Sequence, residues 1–159
     1  MNSSKHQKHY IRYLPGGYLP EGPFETIFPL SGISNSLTVM CEEDSGMITY
    51  LSDRYGFNNF DHVWDQKNKI FLIGDSFIEG SCVEKKFSID SKLNEITGKN
   101  YVSLGVGGNG PLLQLASMIE YAIPNDGEEI IWFFYEGNDL TDLSIEKTSL
   151  TLNKYLSSD

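Results

Sequence analysis

The chain of 159 residues predicts an α/β fold built on a parallel sheet, with a β-rich lead-in ahead of it. Three observations carry that expectation. Short apolar runs at about 69–74, 101–105 and 129–135 lack polar alternation, the pattern of strands covered on both faces. Each run stops at a small polar cluster, as at the strand carboxyl ends of open α/β sheets, where ligands bind. Between the runs lie stretches with helical spacing of apolar residues, so strand and helix alternate along the chain.

The composition, 40% hydrophobic and 13% aromatic, is that of a globular domain. Twelve basic against 22 acidic residues leave a net charge of −10. Nucleic acid and anionic membrane are therefore not expected as partners, since both call for a basic footprint. No apolar segment reaches membrane-spanning length, and no early run forms a signal h-region. The polar, basic opening at 1–10 also reads as a start assigned within a longer chain, so localisation stays open.

In chain order, 10–35 holds Pro15, Pro20, Pro23 and Pro29 with Gly16, Gly17 and Gly22, and predicts an extended, turn-rich arm wrapping the domain. Tyr10, Tyr13, Tyr18 and Phe24 read as anchors of that arm in preference to a carbohydrate-facing shelf. Runs at 36–40 and 47–51 flank Cys41-Glu42-Glu43-Asp44-Ser45-Gly46, a hairpin with an acidic loop. Glu42, Glu43 and Asp44 lack the glycine and closing glutamate of a calcium loop and read as a solvated turn. Cys41 and Cys82 leave two alternatives, a disulfide in an exported protein or two small buried thiols; their spacing is no metal motif. Arg54, Asn58 and Asn59 in the following segment either border a site or pack on the sheet edge. The chain divides once, near 68, into an arm and hairpin lead-in (1–68) and an α/β body (69–159).

The body opens with Lys69-Ile70-Phe71-Leu72-Ile73, a central strand halted by Gly74-Asp75-Ser76. That tripeptide alone is also turn chemistry. A helix over 83–97 places Ile89, Leu93 and Ile96 on one stripe and ends at Gly98. Tyr101-Val102-Ser103-Leu104 is the second strand and runs into Gly105-Val106-Gly107-Gly108-Asn109-Gly110. Pro111 suits the first position of a helix, which carries Leu112, Leu115, Ala116 and Ile119 on one face. Asn109 or Gly110 caps it, and its amino end is expected to point at the polar clusters, favouring negative charge there. Asp126-Gly127 turns the chain into a third strand that ends at Glu136-Gly137-Asn138-Asp139, and one helix over 140–156 follows.

The three clusters together, over about 69–143, resemble those of the SGNH (GDSL-type) hydrolases, whose serine, glycine and asparagine blocks stand in this order on successive parallel strands. The resemblance implies a flavodoxin-like three-layer parallel sheet. It implies a serine esterase or acyl hydrolase that forms an acyl-serine from an ester or O-acetyl substrate, acylated glycans included. Ser76 matches the nucleophile. The backbone N–H groups of Ser76 and Gly108 and the Asn138 amide match the oxyanion donors, and Gly74, Asp75, Gly107, Gly137 and Asp139 complete the motifs. These residue types suit the chemistry, because fixed neutral donors stabilise a tetrahedral oxyanion, glycine admits close backbone approach and asparagine donates without bringing charge. Glu136 departs from the pattern, standing where the family has the first glycine of its third block. No metal ion or organic cofactor is implied. An O-acyltransferase using the same serine and a non-catalytic binding module of the same fold are the alternatives.

The family's fourth block, an Asp-x-x-His pair supplying the general base and its orienting carboxylate, does not follow Asn138. His6, His9 and His62 all precede Ser76. His62 is expected near the amino end of the first strand, on the order of 15 to 20 Å from Ser76. A serine hydroxyl needs an adjacent base, so this chain by itself is expected to be inactive. The apolar third strand calls for a neighbour on each side. Both points lead to the expectation of a carboxyl-terminally truncated, incomplete SGNH domain.

Overall fold

The computed structural model describes residues 11–12, 28–43, 46–122 and 129–157. The arm aromatics Tyr10, Tyr13, Tyr18 and Phe24, the loop residue Asp44, the Asp126-Gly127 turn, and His6 and His9 lie outside them. The chain is mixed α/β, with two three-stranded sheets among the described residues.

In the first sheet β1 (Ile11–Arg12) pairs parallel with β2 (Leu37–Glu43), and β2 pairs antiparallel with β3 (Gly46–Leu51). The expected acidic loop is largely strand: Cys41, Glu42 and Glu43 lie opposite Ile48, Met47 and Gly46. A register shift between Val39 and Cys41 marks a bulge, which re-aims the side chains that follow it. Met40 Sδ accepts the Cys82 N–H at 3.1 Å. Of the two alternatives for the cysteines the structure has the disulfide, joining Cys41 to Cys82 with Cα atoms 5.6 Å apart.

The second sheet contains β4 (Lys69–Ile73), β5 (Asn100–Ser103) and β6 (Glu129–Trp132), all parallel, in the order β5-β4-β6. Its helices are α1 (Ser76–Glu79), α2 (Ile89–Thr97), α3 (Pro111–Tyr121), α4 (Asp139–Glu146) and α5 (Leu150–Asn153). Side chains alternate between the faces of a strand, and on β4 both faces are covered. Phe71 and Ile73 enter a cluster with Phe57, Val102, Leu104 and Ala122, against which Met118 and Tyr121 of α3 pack. Ile70 and Leu72 meet Ile78, Tyr101, and Ile89 and Leu93 of α2. Phe71, Leu72 and Ile73 are fully buried, each contributing about 1.5 to 3 kcal/mol. The absence of polar alternation in this run follows from that double cover.

Two helices differ from the periodicity. α2 begins at Ile89 instead of 83, because the preceding residues are committed elsewhere. Cys82, at φ 59°, is tied to Cys41, and a 3-10 turn at Lys85–Phe87 lets the Lys85 ammonium reach Asp90 and the Asn58 carbonyl. Ile96, placed on the buried stripe by spacing, is 78% exposed. The stretch 140–156 is two helices and a final 3-10 turn: Ser149 Oγ accepts the Leu152 N–H at 3.2 Å and starts α5 afresh. That break lets Leu152 join Leu112, Leu113 and Ala116 of α3.

The lead-in is fastened to the sheet by a buried carboxylate. Asp53, 1% exposed, accepts the backbone N–H groups of Tyr55 and Phe57, the Asn59 amide and the Trp64 indole at 2.7–3.0 Å. Asn59 in turn exchanges both hydrogen bonds with the Ser103 backbone, at 2.8 and 2.9 Å, acting as a side-chain extension of the sheet beyond β5. On the opposite edge, β6 pairs with β4 alone among the described residues, and Ile131, Trp132, Phe133, Phe134 and Tyr135 are each at least 39% exposed. Among the described residues no helix is long and apolar enough to cross a membrane.

Candidate active site

Ser76 stands at the carboxyl end of the central strand, at the first position of a single helical turn. β4 ends at Ile73, and Gly74 turns the chain so closely that a Cβ there would lie 2.6 Å from Ile78 Cγ1. Asp75 Oδ1 accepts the Phe77 N–H at 3.0 Å, satisfying one of the unpaired donors of a helix start. Gly80, at φ 77°, ends the turn in the left-handed conformation that glycine takes at little cost. The turn is held to β5 by Ser103 Oγ, which donates to the Ile78 carbonyl at 2.6 Å.

The glycine block after β5 packs directly against this turn. A Cβ on Gly105 would meet the Glu79 nitrogen at 2.2 Å, and one on Gly107 would stand 2.9 Å from Glu79 Oε2 and 3.6 Å from Ser76 Cβ. Gly107 donates its N–H to Glu79 Oε2 at 2.8 Å. Gly108 follows at φ 82°. Asn109 is buried; its carbonyl accepts from Gln114 Nε2, and its Oδ1 has no partner among the described residues.

The third block joins from the β6 side. Asp139 Oδ2 accepts the Tyr135 N–H at 2.8 Å, and the Asp139 N–H returns to the Tyr135 carbonyl at 3.1 Å. The Tyr135 ring lies over Gly137, where a Cβ would be 2.6 Å from it, and meets the Phe77 ring edge-on with centroids 5.3 Å apart. Asn138 is the N-cap residue of α4. Its Nδ2 donates to Asp142 Oδ2 at 2.7 Å, and its Oδ1 is buried without a partner among the described residues. An amide nitrogen carries two hydrogens, so the bond to Asp142 fixes the amide and leaves one donor. Glu136 is exposed.

Burial sets the electrostatics. Glu79 is pushed up to about 7 by burial, against the pull of the Gly107 N–H, with the Asp75 charge adding to the rise. Burial also raises Asp139; the Tyr135 N–H opposes it, and Asp75 and Asp142 add to it. The amino end of α3 is not open toward this site. Glu146, buried on α4, accepts the Gly110 and Leu112 N–H groups at 2.6 and 2.9 Å, so its carboxylate, and not Asn109, closes the helix start.

The remaining candidates lie outside the three blocks. His62 sits on the 3-10 turn Asp61–Asp65 and lines a cavity of about 400 Å³ with Asn94, Asn100 and Tyr101, at the amino ends of the strands. A second cavity, of about 280 Å³, lies at the same end, between Lys67, Asn100 and Glu129. Arg54 pairs with Asp61 and Asp65 at 2.7 and 2.8 Å, and Asn58 donates to the Glu79 carbonyl at 2.9 Å. Sheet-edge packing, and not a site border, describes Asn59. Among the described residues no three His, Cys, Asp or Glu side chains are grouped to hold a metal ion. Glu79, Asp142 and Glu146 were not marked by the motifs. For Glu79 a signal existed: an acid one helical turn after the serine, between apolar Ile78 and Gly80.

No family model matches the chain, and no curated protein and no solved structure is significantly similar to it.

Proposed function

We propose that the Ser76 site is that of an SGNH-type serine esterase acting on ester-linked acyl groups, O-acetyl groups on carbohydrate included, within a flavodoxin-like three-layer fold. The observation that carries the reading is the meeting of the three polar blocks at one end of a parallel sheet ordered β5-β4-β6, with Gly107 beside Ser76 and Tyr135 against Phe77. In this reading Ser76 Oγ attacks the acyl carbonyl as its proton passes to a general base. The carbonyl oxygen becomes an oxyanion held by the N–H groups of Ser76 and Gly108 and by the free hydrogen of the Asn138 amide. Collapse expels the alcohol, which takes the proton from the base and leaves an acyl-serine. Water then attacks that ester, the base takes its proton, and the acid departs as Ser76 recovers its own. His62 is on the wrong end of the sheet for the base, so the reading assigns that role to a group outside the described residues. If an alcohol in place of water meets the acyl-serine, the same site is an O-acyltransferase.

The experiment is exposure of the chain to a fluorophosphonate probe, followed by peptide mass mapping and a parallel ester assay. Covalent mass on Ser76, absent in Ser76→Ala, supports the reading. A folded native sample that acquires no mass at Ser76 and turns over no ester, even with imidazole added as an external base, would leave the binding-module alternative as the better account of the cleft.

A further inference from the structure

The proposed chemistry leaves Glu79 unused, although it is a buried titratable group on the serine turn itself. It stands one helical turn after Ser76, is 4% exposed, and directs its carboxyl group at the glycine block, where Gly107 donates to Oε2. The fit is close, since the point where a Gly107 Cβ would stand is within 4 Å of both Glu79 Oε2 and Ser76 Cβ. The residue itself is pinned. Its carbonyl accepts from Asn58 Nδ2 at 2.9 Å, its N–H donates to the Asp75 carbonyl at 3.0 Å, and Gly105 packs against its nitrogen.

Resting on the esterase reading of Ser76, Gly108 and Asn138, we propose that Glu79 is a positioning residue that works as a neutral acid, locking the Gly107-Gly108 turn against Ser76 without placing a charge beside the oxyanion. Both tasks suit the same protonation state. A carboxylic acid keeps an oxygen able to accept the Gly107 N–H, whereas a carboxylate there repels the developing oxyanion through a medium of low dielectric. The surroundings favour the neutral form. Burial pushes Glu79 up to about 7, the Gly107 bond opposes it, and Asp75 at the head of α1 adds to it. The titratable neighbour from β3 is Tyr50, itself pushed far up by burial and by Glu79, and so uncharged. On α4, Asp139 is itself raised by burial and by the Asp75 charge. The cation on the segment after α1, Lys85, is ion-paired with Asp90 of α2. The glycine turn brings no charge of its own.

The test compares the whole native chain with Glu79→Gln by ¹⁵N–¹H NMR and by Ser76 labelling with a fluorophosphonate, from about pH 5.5 to about pH 8.5. Glutamine keeps an acceptor oxygen and cannot ionise. The Gly107 amide resonance should move with a midpoint near 7 in the native chain and stay fixed in the variant. The variant-to-native ratio of labelling rates should be near one at the acid end and rise about tenfold or more at the alkaline end. The native chain alone gives a second measurement, because the Glu79 side-chain carboxyl ¹³C resonance should titrate together with the Gly107 amide. A Gly107 amide that ignores pH, a Glu79 carboxyl already ionised at the acid end, or a constant labelling ratio overturns the inference. Absence of labelling in both proteins at every pH, with imidazole added as an external base, counts against the esterase reading instead, and the paired titrations then decide whether Glu79 governs the turn.

Discussion

Glu146, at the end of α4, places its carboxylate over the start of α3, accepting the N–H groups of Gly110 and Leu112 at 2.6 and 2.9 Å. The glycine block, α3 and α4 are thereby joined through one buried side chain. Glu146→Ala leaves those donors without a partner and should cost about 2 to 4 kcal/mol. Glu146→Gln, which keeps one acceptor oxygen, should cost less. Urea unfolding midpoints at unchanged slope give the comparison, and an alanine variant as stable as the native chain would mean that α3 needs no cap from α4.

Gly105 and Gly98 should behave oppositely toward alanine. At Gly105 the new Cβ meets backbone of α1 at 2.2 Å, and backbone cannot rotate away, so a loss of about 3 kcal/mol or more is expected. At Gly98 the Cβ meets open space, and the cost is the left-handed φ of 69° alone, about 1 kcal/mol. Thermal unfolding of the two variants side by side measures the difference.

Glu79 makes stability depend on pH in a defined direction. Its carboxyl lies higher in the folded chain, at about 7, than its ordinary 4.5. The folded state then holds a proton that the unfolded state has released. The stabilisation is full below the ordinary value and is lost as pH rises through the folded one. The stability of the native chain relative to Glu79→Gln should fall by about 3 kcal/mol over that window. Denaturation of both proteins at matched pH values checks it, and a difference independent of pH would place Glu79 ionised.

Asn138→Ala should slow fluorophosphonate labelling of Ser76 by about 100-fold, the scale on which one oxyanion donor acts, while leaving the fold intact. Asp142→Asn, which still offers an oxygen to the Asn138 amide, should slow it far less. Equal losses in the two would mean that Asn138 acts through the α4 start and not through the oxyanion.

The Cys41–Cys82 bond spans a sequence separation of 41, and closing a loop of that size constrains the unfolded chain by on the order of 4 kcal/mol. Reduction should lower the unfolding temperature, and Cys41→Ser with Cys82→Ser should match the reduced protein. Unchanged melting after verified reduction would show that the hairpin holds its place by packing alone.

The parts of this architecture that can be read from the chain are those with local signals. The run at 70–73 is apolar because β4 is covered on both faces, and the glycines at 105 and 107 are required because α1 lies against them. What escaped reading depends on partners distant in sequence. Nothing near Pro111 says that Glu146 will cap its helix, and nothing near Asn59 says that its amide will bond the Ser103 backbone. The break at 147–149 escaped for another reason: the apolar spacing continues through it, and only the Ser149 cap interrupts the helix. Cys41 to Glu43 looked like a loop because acids are rare in strands, yet on this small sheet Glu42 can pair and still face solvent.

The central position of β4 also governs the order in which the protein can assemble during synthesis. Both of its neighbours come later in the chain, each after an intervening helix, so no strand of this sheet can close a hairpin with the next. As the chain leaves the ribosome, β4 waits with both edges unpaired until Asn100–Ser103 emerges, and its second edge waits until Glu129–Trp132 follows. Such non-local pairings form slowly. A translational pause after 103 would hold a half-built sheet with one edge of β4 open, the interval in which a chaperone would protect this chain most.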